Sequence, residues 1–230
     1  MTDITKIKLP CNISIAGNTM CGKTHLLKKL LREQLIPQLE YLIILAPTCA
    51  ISDDYLEFQE NTIPERGLVV QKFEDPSMFK NIISEIVESQ DHLLRNYPKK
   101  RIPSIMIILD DCVGLPILQF KGIIDKLSTA SRHYNISLVV FVQRITALPR
   151  TFRLNTKFMI LFNCSNFTEL ERYIEEYVPK KYKKLINDHM EEIFNVPYNY
   201  IFTANFATRI KDRLWLNGKD NIVEQLEDKK

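Results

Sequence analysis

The sequence predicts an α/β fold with a mostly parallel central sheet flanked by helices. Three observations carry the prediction. Short apolar runs alternate with helix-like patterns along most of the chain. The runs are continuously apolar, as in strands covered on both faces. The 230 residues, 45% hydrophobic and 26% charged, are enough to bury one sizeable core.

Asn12–Ala16 (NISIA) is the first predicted strand. Residues 25–35 place Leu26, Leu27, Leu30, Leu31 and Leu35 on one helical face. Tyr41–Ala46 (YLIILA) is a second buried strand, ended by Pro47, and residues 67–73 are a third. Residues 76–95 form an amphipathic helix with a proline near its start. Residues 104–109 are apolar on both faces and predict a strand, 118–130 a helix, and Ile136–Val142 and Phe158–Phe162 two more buried strands. After Phe167 the pattern changes. Charged helical segments at 169–177 and 180–194 precede a hairpin around 200–216, and residues 221–230 read as a solvated helix or frayed tail. The expected division is a core over 1–165 and a small helical and hairpin extension over 166–230, packed on that core and not independent of it. No internal repeat is visible.

Several classes are excluded. Lys and Arg number 31 against 28 Asp and Glu, so the formal charge is +3, and any basic surface must be local. No run of about 20 apolar residues exists to span a membrane. The polar segment 1–8 has no apolar run behind a basic start, so no secretory leader is expected. The five cysteines (Cys11, Cys21, Cys49, Cys112, Cys164) are scattered without a C-x-x-C pair, which fits reduced thiols and not a disulfide framework or zinc site.

Glycine is scarce, yet two of the six lie five residues apart in Gly17-Asn18-Thr19-Met20-Cys21-Gly22-Lys23-Thr24. This matches G-x-x-x-x-G-K-[ST], with a strand before it and a helix after it as the motif requires. Glycines let backbone N–H groups turn inward around phosphate oxygens, and the following helix points its positive end at the same anion. Lys23 would reach the β and γ phosphates, and the Thr24 hydroxyl would bind Mg²⁺. A tight strand-to-helix turn with an incidental lysine is the alternative. A chain of this length shows the pattern by chance on the order of once in a hundred.

The strand ending at Leu109 is followed by Asp110-Asp111. In phosphate-loop proteins the first such acid orders the Mg²⁺ shell and a second can polarise the attacking water. Asp110 is therefore the candidate metal-side acid and Asp111 the candidate base, although strand ends also carry Asp as a cap or turn residue. Another buried strand ends in Gln143, which could position water or sense the γ-phosphate, or could simply be satisfied by loop backbone. Arg132, Arg144, Arg150 and Arg153 surround that strand in sequence. They are candidates for an arginine finger or for DNA phosphate contacts.

Together these residues resemble the FtsK–HerA group of P-loop ATPases, and within it the poxvirus-type genome-packaging ATPases of large DNA viruses and virophages. The resemblance rests on 17–24, on 105–111, on Arg132-His133-Tyr134-Asn135-Ile136-Ser137 leading to Gln143, and on Leu148-Pro149, Arg153-Leu154-Asn155 and residues 158–163. It covers about residues 10–165. It implies a RecA/FtsK-like P-loop fold and an ATPase that uses ATP and Mg²⁺ to translocate double-stranded DNA into a capsid. It also implies a homo-oligomeric ring, pentamer or hexamer, a capsid or portal partner, and a place in the host cytoplasm or viral factory or with the virion. Gln143 takes the position of the family's glutamine. Arg132, with Arg153 second, takes that of the arginine offered to a neighbouring subunit. The acid pair departs from the Asp-Glu usual in bacterial members. Lys99-Lys100-Arg101 and Lys180-Lys181-Lys183-Lys184 are candidate DNA contacts, or solvated faces. A small nucleotide or nucleoside kinase, and an ATP-binding scaffold without turnover, are the competing readings. The kinase gives the acid pair and Gln143 no clear task.

Overall fold

A computed structural model describes residues 6–46, 67–72, 76–110, 121–164 and 166–228. The elements are β1 (Asn12–Ala16), α1 (Lys23–Leu30), β2 (Tyr41–Ala46), β3 (Gly67–Lys72), α2 (Pro76–Asn96), β4 (Ile105–Leu109), α3 (Lys121–Ala130), β5 (Ile136–Val142), α4 (Arg150–Asn155), β6 (Phe158–Phe162), α5 (Phe167–Tyr177), α6 (Lys183–Asp188), α7 (Met190–Phe194), β7 (Tyr200–Ala204), β8 (Leu214–Leu216), β9 (Asp220–Asn221) and α8 (Ile222–Glu227). One sheet takes the order β3-β2-β4-β5-β1-β6-β7-β8-β9. β3 through β6 in that order are parallel, and β7, β8 and β9 continue it antiparallel.

Continuously apolar strands bury both faces because successive side chains point to opposite sides. Ile105, Ile107, Leu109, Leu138 and Val140 belong to one core cluster with buried residues of α2–α8. Ile13, Ile15, Met106, Ile108, Val139 and Phe141 pack under Leu26, Leu27 and Leu30 of α1. The helix expected over 25–35 begins at Lys23 and finishes in a wider turn at Leu31–Leu35. The segment 180–194 is broken into a short 3-10 turn, α6 and α7, with His189 between the last two. The solvated tail expected after residue 220 is corrected: Ile222, Val223 and Leu226 of α8 are buried in the core.

A polar seam ties the N-terminal ends of the central strands to the helices. Asn12 is buried; its Nδ2 donates to Ser128 O at 2.8 Å and to Asn155 O at 3.4 Å, and its Oδ1 accepts from Ser131 Oγ at 3.0 Å. This one side chain fixes the end of α3 and the end of α4 against β1. Asn12→Ala removes all three hydrogen bonds. It should cost about 1–3 kcal/mol of stability, read as a lowered urea midpoint with an unchanged slope.

Candidate functional site

The chain leaves the sheet at Gly17, between two neighbours that hold it. The Gly17 N–H donates to Val142 O, at the end of β5, and the Asn18 N–H donates to Asn163 O, just past β6; both distances are 3.2 Å. A Cβ on Gly17 would lie 2.6 Å from Phe162 Cβ and 2.9 Å from Cys21 Sγ, so glycine is sterically required. The loop closes at Gly22, whose φ of 101° is left-handed, and α1 starts at the next residue. Met20, 91% exposed at the loop apex, also has a positive φ of 61°. The first turn of α1 carries no acidic residue, so its unpaired N–H groups and dipole favour an anion. Lys23 Nζ spans the loop and donates to Gly17 O at 2.7 Å and Asn18 O at 2.6 Å. Thr24 is the second residue of the helix. A cradle with no room for a Cβ, an open helix end and a lysine at its mouth fit a phosphate chain.

The strand order brings polar strand ends to this cradle. β5 lies between β4 and β1, with Ala16 opposite Val142 and Leu109 opposite Val140. Gly17, exposed Gln143 and Asp110 therefore leave three adjacent strands at one edge of the sheet. The Asp110 N–H donates to Leu45 O at 3.0 Å, which fixes its backbone beside β2. Asp111 lies outside the described residues. The turn after Gln143 is held by the carboxylate of Glu169, only 3% exposed, which accepts from the Thr146 N–H at 3.1 Å and from Thr146 Oγ1 at 2.5 Å.

The arginines that cluster in sequence separate in space. Arg132 is exposed and precedes β5, at the opposite edge from the loop; Arg144 follows β5 at the loop edge. The seven residues of β5 put about 20 Å between those edges. Arg153 is committed within its own chain. Its Nε and Nη2 donate to Glu176 at 2.7 and 3.0 Å, and Nη1 donates to Leu148 O at 2.5 Å, with both side chains 15% exposed or less. Lys99–Arg101 is an exposed turn ahead of β4, on Arg132's edge. Lys183 Nζ donates to Glu175 O at 3.0 Å.

Cys21 touches Lys23 Nζ through Sγ at 3.9 Å, but burial pushes its thiol pKa up and outweighs the lysine's opposing effect. Oxidation sensitivity would need the opposite shift. Among the described residues no cluster of three His, Cys, Asp or Glu could hold a metal by itself. Mg²⁺ commonly uses one or two protein ligands plus phosphate oxygens, which suits Thr24 and Asp110.

Beside Gly22 a cleft of about 640 Å³ is lined by His25, Phe162, Tyr198, Asn199 and Tyr200 among others. Sequence reasoning missed it, because nothing local marks residues 195–200 as neighbours of residue 22. Only the antiparallel pairing of Phe162 with Tyr200 brings them there. Gly17→Ala should lower nucleotide affinity by at least about tenfold and also lower the thermal midpoint, because the added Cβ displaces buried Phe162, checked by calorimetric titration and thermal unfolding.

Solved structures share this fold. The DNA-packaging ATPase B204 of Sulfolobus turreted icosahedral virus is 15% identical, with a TM-score of 0.63 over 90% of this chain and 96% of that one. B204 of Sulfolobus turreted icosahedral virus 2, a genome-packaging NTPase solved with ATP-gammaS, is 16% identical at a TM-score of 0.61, covering 91% and 97%. The pCW3 conjugation coupling protein TcpA, 16% identical, gives 0.60 over 95% of this chain and 64% of that one. Comparison with curated protein sequences found no match. The family model described as Poxvirus A32 protein matches residues 4–229, taking in the segment after residue 165 as well as the loop, and the chain belongs to that family.

Proposed function

We propose that this chain is an ATP-hydrolysing motor that drives double-stranded DNA into a viral capsid. The observation that carries the reading is the convergence of the 17–24 loop, Asp110 and Gln143 on adjacent strand ends. Membership of the A32 family supports it, as do the packaging ATPases that share the fold.

In this reading the backbone N–H groups of residues 18–24 and Lys23 Nζ bind the phosphates. Mg²⁺, held by Thr24 and Asp110, would neutralise charge on the phosphate oxygens. Asp111 takes a proton from the attacking water, and Gln143 orients that water. Arg132 cannot reach the loop of its own subunit, since β5 separates them. It serves a neighbour, which supports a ring of identical subunits with ATP between them. Arg153, paired with Glu176, braces α4 against α5. The exposed Lys99–Arg101 turn is available to DNA phosphates, a contact that reads no bases. A capsid or portal protein is the remaining partner, in the host cytoplasm, the viral factory or the virion. Among the described residues no helix is long and apolar enough to cross a membrane.

The test is ATP hydrolysis at low salt, with and without long double-stranded DNA. DNA should stimulate the wild-type protein, and Lys23→Ala should abolish turnover. Arg132→Ala should lower it by about 10³-fold with ATP still bound. Mixing Lys23→Ala with Arg132→Ala should restore part of the activity, because some mixed interfaces pair an intact Lys23 with an intact Arg132. Turnover that ignores DNA and passes phosphate to a nucleoside or nucleotide would replace the motor with a kinase.

A further inference from the structure

We propose that Tyr198 is the stacking platform for the base of the nucleotide whose phosphates occupy the 17–24 loop. The inference rests on the nucleotide reading above and adds the part of the site that the loop cannot supply.

The orientation of a bound nucleotide follows from the strand order. The acid and the glutamine, Asp110 and Gln143, lie on the β4–β5 side of the loop. The terminal phosphate must point to that side for hydrolysis. The nucleoside then leaves the loop in the opposite direction, over β6 and β7. There the cleft of about 640 Å³ opens beside Gly22, at the start of α1. Two walls are aromatic. The Phe162 ring stands against Tyr200, with centroids 5.2 Å apart. The Tyr198 ring leans on the loop: a Cβ on Gly22 would meet Tyr198 Cδ1 at 3.3 Å.

Three features single out Tyr198 from ordinary surface tyrosines. It is 71% exposed, although it lies directly against the loop. Its backbone holds φ at 66°, a left-handed conformation that bulky residues adopt at a cost and that clusters at functional sites. And its support is rigid. Asn199 Nδ2 donates to Ile193 O at 2.9 Å, Asn217 Nδ2 donates to Asn199 Oδ1 at 2.9 Å, and the Tyr200 N–H donates to Asn217 Oδ1 at 3.0 Å. The segment is thus fixed to the β8–β9 turn, and a ring carried on a fixed backbone loses less freedom when a base stacks on it. An aromatic face recognises a base through its π surface.

The experiment compares calorimetric binding of ATP and of inorganic tripolyphosphate to the full chain. Tyr198→Ala should weaken ATP binding roughly tenfold or more while leaving tripolyphosphate affinity unchanged. Tyr198→Asn, which suits a left-handed backbone and lacks the ring, should do the same, which removes backbone relaxation as the cause. Tyr198→Phe should bind ATP within about threefold of the wild type, because the π face remains. Lys23→Ala should weaken both ligands. Equal loss of both ligands in Tyr198→Ala and Tyr198→Asn would overturn the proposal and assign Tyr198 to support of the loop. Unchanged ATP affinity in both variants would also overturn it. Failure of the wild-type chain to bind either ATP or tripolyphosphate would remove the nucleotide reading itself, and the platform with it.

Discussion

The approach of Gly17 to Phe162 is the constraint on which the site depends. The loop lies against β6 closely enough that a Cβ would come within 2.6 Å of Phe162 Cβ. That contact, with one backbone hydrogen bond to β5 and one to the chain beyond β6, draws the loop down onto the sheet. Everything that addresses the phosphates follows from it. α1 begins where the loop ends, so its free N–H groups open over the same point. Lys23 reaches back across the loop to the carbonyls of Gly17 and Asn18.

The strand order then decides what surrounds the cradle. Parallel strands gather their carboxyl ends at one edge, and ligands bind in the crevice there. With β5 inserted between β1 and β4, Gln143 sits between the loop and the acid. The same strand carries Arg132 to the far edge. The proposed motor would use the two ends of this one strand differently, with Gln143 beside its own nucleotide and Arg132 toward a neighbouring subunit, as in a ring whose sites are completed in trans.

The segment after residue 165 supports the site from two sides. On one, α5 supplies two carboxylates with structural tasks: Glu169 fixes the turn after Gln143, and Glu176 engages Arg153. On the other, β7 reverses direction against β6, and residues 195–199 return to the loop. The extension is continuous with the core, since β7, β8 and β9 add to the same sheet and α8 buries its apolar residues beneath it.

Local chemistry made much of this legible in the sequence. Continuous apolar runs marked the strands of the parallel sheet, because strands buried on both faces have no polar side to show. The spacing of Gly17, Gly22, Lys23 and Thr24 marked the loop, because a backbone cradle needs those residue types in that order. Asp110 and Gln143 were visible as polar residues ending apolar strands. Sequence could not say which of the clustered arginines shared an edge with the loop, because a strand separates residues by its length and not by their order in the chain. Nor could it assign Arg153 to Glu176, a partner 23 residues away on another helix. Tyr198 was the least visible, since nothing around it differs from an ordinary loop. Its place beside Gly22 was decided only by the antiparallel turn of β7 against β6, a long-range pairing that local sequence does not encode.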